Sequence, residues 1–155
     1  MAQGITVTPI PGASAAMTAL SASGLETDSF HFVGFPAAKP SQRRKQLEEW
    51  KTARETVILY EAPHRILATL ADIVETLGPD RRVVLGRELT KLHEEFLRGT
   101  ARAVYVNLQA RPSIKGEITL LIAPALAPEP VEDADLRAEV DALVAAGAPD
   151  RKSVV

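Results

Sequence analysis

The sequence predicts an α/β domain, a mixed, mostly parallel sheet with helices on both faces, followed by a truncated helical stub. Three observations lead there. Short β-branched or aromatic runs alternate with helix-period segments from Ile5 to Ala123, the signature of strands joined by helical crossovers. Thr56-Val57-Ile58-Leu59-Tyr60 is almost continuously apolar, as expected of a strand covered on both faces. The stretch from Val84 to Gly99 leaves no room for a helical crossover, so at least one strand pair is expected to be antiparallel.

The elements follow in order. Ile5 to Ile10 is short and β-branched and is expected to be a first strand, ended by Pro11-Gly12. Ala13 to Ser23 reads as a helix whose Ala15, Ala16, Ala19 and Ala22 permit close approach to a neighbour, with Gly24 closing it. Phe30 to Phe35 alternates large apolar residues and reads as a strand. Ser41 is expected to cap a helix from Gln42 to Ala53, with Leu47 and Trp50 as its apolar seam. Ile66, Leu67, Leu70, Ile73, Val74 and Leu77 recur at helical spacing between Arg65 and Gly78-Pro79. Strands are expected at Arg82 to Gly86, Phe96 to Gly99 and Glu117 to Ala123, with a helix from Thr100 to Ala110. Residues 124–130 form a proline- and alanine-rich linker, and residues 131–155 carry one amphipathic stripe (Leu136, Val140, Leu143, Val144). Asp150 to Ser153 then reads as the capped start of another helix, so the C-terminus is expected to be a cut within a helical module.

The chain has 155 residues, 46% hydrophobic and 25% charged, within the globular range. Its net charge of -2 gives no global attraction to a polyanion, so any nucleic-acid contact requires a local basic patch. No cysteine is present, which removes disulfides, thiolate zinc sites and a cysteine nucleophile. No apolar run approaches the ~18 residues of a membrane span, and no signal peptide is apparent, so a cytoplasmic protein is expected. The sequence contains no Gly-x-Gly and no Gly-x-Ser-x-Gly, and His31, His64 and His93 are scattered. It therefore offers no dinucleotide loop, P-loop, nucleophile elbow or local metal signature of its own, and no metal is expected.

Four stretches, taken in order, narrow the reading. They are Pro9-Ile10-Pro11-Gly12-Ala13-Ser14-Ala15 with Ala22-Ser23-Gly24-Leu25; Phe32-Val33-Gly34-Phe35; Tyr60-Glu61-Ala62-Pro63-His64-Arg65; and Arg87 to Glu95, backed by Arg98-Gly99-Thr100 and Lys115-Gly116-Glu117. Over residues 3 to 123 this series resembles the second domain of the tetrapyrrole methylase superfamily, in particular the branch that methylates a cytidine ribose of small-subunit (16S) ribosomal RNA. Ala13 and Ala62 depart mildly from the usual proline and serine. The resemblance implies a methyltransferase that binds S-adenosylmethionine between two α/β domains and works as a homodimer. It also implies that residues 1–12 form an interdomain connection, that residues 13–123 form the C-terminal domain, and that the chain alone is inactive.

Site residues follow from the resemblance and the chemistry together. Arg87, Glu88, Lys91 and His93 lie just after a strand, where open α/β sheets bind ligands. Glu88 or His93 is a candidate to take the 2′-hydroxyl proton, and Lys91 or Arg87 to hold phosphate or stabilise the nascent alkoxide; the sequence does not rank them, and a charge-balanced surface loop is the plain alternative. Tyr60, Glu61, Lys115, Gly116 and Glu117 are the expected cofactor contacts, although Glu61 and Arg65, four apart, also suit a surface ion pair. Lys39, Arg43, Arg44 and Lys45 form the densest basic patch. Cations in a helix's first turn oppose its dipole, at a few tenths of a kcal/mol each, so RNA phosphate is a candidate partner, with a solvated helix start as the plain alternative. Trp50 is expected in the core. The competing functions are a corrin or porphyrin precursor methylase and a non-catalytic dimerisation or RNA-binding domain.

Overall fold

The computed structural model describes residues 4–126, together with Asp141 and Ala142. The chain divides into two compact units, Met1–Ala125 and Leu126–Val155. In the second, Asp141 and Ala142 are helical and exposed; the expected stripe at Leu136, Val140, Leu143 and Val144 and the capped start at Asp150 lie outside the described residues.

In the first unit the elements run α1 (Ala15–Ser21), β1 (Phe30–Gly34), α2 (Pro40–Glu49), β2 (Thr56–Glu61), α3 (Ile66–Leu77), β3 (Arg82–Arg87), β4 (Glu95–Thr100), α4 (Ala101–Gln109) and β5 (Ile118–Ile122). The five strands form one sheet in the order β1-β2-β5-β3-β4. The α/β class and the helices on both faces are as expected. The mostly parallel sheet is not, because only β1 with β2 pairs in parallel, while β2 with β5, β5 with β3, and β3 with β4 are antiparallel. The reason is topological. Helical crossovers do return β1, β2 and β3 in one direction, but β5 enters between β2 and β3 and runs against both. Alternation in sequence fixes direction, not adjacency.

Residues 5 to 10 form no strand; all are exposed and none pairs with the sheet. Their β-branched side chains supply propensity without a neighbour. At α2 the helix starts earlier than expected. Pro40 occupies its first turn, where the missing N–H costs nothing, and Lys39 rather than Ser41 is the capping residue. Thr100 caps α4 by accepting a hydrogen bond from the Ala103 N–H at 3.1 Å.

Burial explains the layering. All five residues of β5 are buried, as a central strand requires. On one face, Leu47 of α2, Ile66, Leu70 and Ile73 of α3, and Val104 and Leu108 of α4 pack on Val57, Leu59, Val83, Leu85, Leu120 and Ile122, with Trp50 beside them. On the other, α1 lays Ala16, Ala19 and Leu20 against Ile58, Val84 and Leu121. The small residues let α1 sit close to the sheet. The turn that follows it is held by Arg98, which donates to Ala22 O at 2.6 Å and Ser23 O at 3.3 Å, a cation at the negative end of a helix.

Candidate functional site

The strand directions bring the motif stretches to one end of the sheet. β1, β2 and β3 finish there, and β4 and β5 begin there, since Arg87 pairs with both Glu95 and Ile118, and Glu61 pairs with Ile118. Phe35, Tyr60 to Arg65, Arg87 to Glu95 and Lys115 to Glu117 are thereby gathered from 83 residues of sequence. Between them lies a cleft of about 450 Å³, lined by Ala15, Phe35, the Tyr60–Pro63 turn and the Gly116–Thr119 segment. Its wall is largely apolar. Tyr60 meets Phe32 and Phe35 edge-on, with ring centroids 5.0 and 5.8 Å apart.

Phe35 was not among the sequence-derived contacts. Its position comes from an irregularity: β1 shifts register against β2 between Phe32 and Gly34, and Gly34 takes a φ of +75°. A bulge of this kind re-aims the following side chain, here into the mouth of the cleft.

Glu61 lines the cleft, but its side chain is engaged within the protein. Its carboxylate is buried and occupied internally: Oε1 accepts from the Ala62 N–H at 2.8 Å, Oε2 accepts from the Thr69 hydroxyl at 2.6 Å, and Arg65 Nε lies 3.2 Å from Oε1. The ion pair with Arg65 forms, but in the interior. Arg65 in turn donates to the carbonyls of Pro36 and Ala37 at 2.9 and 3.2 Å. Glu61 thus ties the loop after β1 to the start of α3, and what it offers the cleft is main chain. Thr69, eight residues downstream, carried no sequence signal.

The loop after β3 is a dense charge network. Glu88 Oε1 accepts from the Glu117 N–H at 2.8 Å and from Lys91 Nζ at 3.0 Å, and Lys91 Nζ also donates to Glu117 Oε2 at 3.1 Å. The Glu117 amide, then Lys91, hold the Glu88 carboxyl below the usual carboxylate range, and the same pairing raises Lys91. Arg87 Nε donates to Glu95 Oε2 at 2.9 Å, and Arg111 clasps Glu95 with both terminal nitrogens at 2.8 and 2.6 Å. Arg111 above all holds Glu95 at about 2. Arg111, at the end of α4, was missed because nothing in its local sequence points to a partner 16 residues back. His93 and Lys115 are exposed, and neither lines the cleft.

The basic patch splits. Arg43 is buried, and its Nε donates to Asp72 Oδ2 at 2.7 Å; Arg44 reaches Asp72 Oδ1 at 3.3 Å. Asp72 on α3 therefore offsets the cations of α2 that had called for a polyanion, which withdraws Arg43 from the expected RNA contacts. Lys39, Arg44 and Lys45 remain exposed.

Comparison with known proteins places these features. Residues 1–105 match the family model for tetrapyrrole (corrin/porphyrin) methylases. The ribosomal RNA small subunit methyltransferase I of Halalkalibacterium halodurans is 52% identical over 120 residues, covering 77% of this chain and 41% of the relative. That of Mesorhizobium japonicum is 44% identical over 141 residues, 91% of this chain and 46% of the relative. The chain thus spans about half the length of the curated relatives it matches. Among solved structures, the methyltransferase CobJ aligns with a TM-score of 0.60 at 19% identity, covering 83% of this chain and 55% of that one. A cobalt precorrin-4 methyltransferase aligns at 0.59 and 17% identity, covering 82% and 56%. At such identity these two show the fold alone.

Proposed function

This chain belongs to the tetrapyrrole (corrin/porphyrin) methylase family, and we propose that it forms one wall of the S-adenosylmethionine cleft in an enzyme that methylates a cytidine 2′-hydroxyl of small-subunit ribosomal RNA. The observation that carries this is the convergence of Phe35, Tyr60–Pro63 and Gly116–Glu117 around one cleft at the strand ends, where open α/β sheets take ligands. The wall fits such a donor: aromatic and apolar surface for a planar base, with main-chain polar groups at the Tyr60–Ala62 and Gly116–Glu117 turns to orient it. When bound, the donor supplies an electrophilic methyl on a sulfonium.

The protein's own task is to hold the hydroxyl in line with that methyl and relieve it of its proton. His93, exposed on the loop after β3, is the member of that loop we assign to the proton; Arg87 and Lys91, paired with Glu95 and with Glu88 and Glu117, hold the loop in shape. Lys39, Arg44 and Lys45 are the proposed phosphate contacts, and Lys115, next in sequence to the lining residue Gly116, is kept as a proposed contact to the methyl donor. Ribose methylation is favoured over a corrin substrate because the relatives named for ribosomal RNA are 40–52% identical to this chain, against 17–19% for the corrin enzymes. The same reading gives a cytoplasmic homodimer, for which the exposed large apolar side chains Ile10, Met17 and Phe30 are candidate contacts. Among the described residues no helix is long and apolar enough to cross a membrane.

The test joins this chain to the N-terminal half of the Halalkalibacterium halodurans relative and measures transfer of labelled methyl to small ribosomal subunits. Label in one cytidine ribose is expected. Label on a macrocyclic tetrapyrrole, with none in RNA, contradicts the reading.

A further inference from the structure

The loop after β3 holds a backbone its residues disfavour. Glu88 (φ +51°) and Thr90 (φ +63°) both occupy the left-handed region, which non-glycine residues adopt rarely and keep only where the surroundings over-determine it. At Thr90 the N–H donates to Glu94 Oε2 at 2.7 Å; at Glu88 the surroundings are chiefly Glu117. Glu88 donates its main-chain N–H to Glu117 O at 2.9 Å and accepts the Glu117 N–H on its own Oε1 at 2.8 Å. Both main-chain polar groups of Glu117 are thus taken by Glu88, which prolongs the β3–β5 pairing one step beyond Arg87 and Ile118, with a carboxylate in place of a carbonyl. Lys91 closes the arrangement by bridging Glu88 and Glu117.

Gly116 shows what this requires. Its φ is +94°, and a Cβ built on it would lie 2.7 Å from both Cδ and Oε1 of Glu88. The space that any other residue's side chain would occupy is filled by Glu88. Gly116 and Glu117 line the cleft, whereas Glu88 does not.

We infer that Glu88 is a positioning residue: it sets the Gly116–Glu117 wall against which the methyl donor lies, and it is not the group that receives the substrate proton. A proton acceptor needs a lone pair aimed at the substrate and an affinity for the proton. Oε1 already accepts two hydrogen bonds, neither carboxyl oxygen belongs to the cleft lining, and the bonds to Oε1 lower the carboxyl's proton affinity. This inference rests on the cleft being the methyl-donor site.

Two measurements test it, and they fail separately from that reading. On the 155-residue chain, amide exchange at Glu117 reports the clamp directly. Glu88→Ala is expected to accelerate it at least tenfold, and Glu88→Gln, which keeps the acceptor, to change it less than threefold. In the joined enzyme, Glu88→Gln is expected to leave kcat within about threefold and its pH profile unmoved, whereas Glu88→Ala and Gly116→Ala raise KM for the methyl donor about tenfold. Because the added Cβ meets Glu88, the two effects are expected to be non-additive in the double variant. Unchanged Glu117 exchange in Glu88→Ala, or a fall in kcat of a hundredfold or more for Glu88→Gln at constant KM, overturns the inference. Absence of methyl transfer in the unsubstituted joined enzyme counts against the donor-site reading alone, and the exchange experiment still decides the clamp.

Discussion

Glu95 offers the most quantitative handle on the site's framework. It opens β4 and is clasped by Arg111 from the end of α4 and by Arg87 from β3, at 2.6 to 2.9 Å. Folding holds its carboxyl at about 2, against 4.5 for an ordinary glutamate. At 1.36 kcal/mol per pH unit this caps the carboxylate's contribution near 3 kcal/mol. The side chain is 26% exposed, so water screens part of that, and about 1–2 kcal/mol is expected. The sign follows from the depressed folded value: the stabilisation is fully present above the unfolded value near 4.5 and is lost as pH falls toward 2. Glu95→Gln should therefore lower the melting temperature at pH 7 by roughly 3–8 °C, and the gap to the unsubstituted chain should shrink steadily between pH 5 and 2. Calorimetric melts across that range measure it. A gap of constant size down to pH 2 refutes the electrostatic argument and leaves packing as the cause.

Three further outcomes follow from the geometry. Asp72→Asn leaves the Arg43 guanidinium, 4% exposed, without its counter-charge; a loss of about 3–5 kcal/mol in denaturant unfolding is expected, with the salt dependence of RNA binding unchanged. Lys39→Ala and Lys45→Ala should do the reverse in the joined enzyme, each reducing the log–log salt slope for single-stranded RNA by about 0.7 while changing stability by less than about 0.5 kcal/mol. Thr69→Val removes the hydroxyl that donates to Glu61 Oε2 and should cost about 1.5–3 kcal/mol in the same unfolding assay, since the carboxylate it leaves is fully buried.

What the sequence made legible was local. Helix period located α3, apolar continuity located β2, and the lack of crossover room between Val84 and Gly99 foretold the antiparallel β3–β4 pair. What it hid was adjacency. Nothing in residues 118–122 says that β5 enters between β2 and β3, yet that insertion sets Gly116 under Glu88 and brings Glu117 within reach of Lys91. The same limit governed individual charges. Arg43 and Glu61 read as surface groups because their partners, Asp72 and Thr69, lie 29 and 8 residues away, and an ion pair's burial is decided by packing that spacing does not encode. The ordered motifs do converge at one end of the sheet, because they are strand termini.

The central claim is that these 155 residues supply one wall of a two-walled cleft. Titration calorimetry with S-adenosylmethionine tests it most directly, using the chain alone and the chain joined to the N-terminal half of a relative. Negligible heat is expected from the first, and an affinity on the order of 1–10 µM, about -7 to -8 kcal/mol, from the second. Micromolar binding by the chain alone would contradict it.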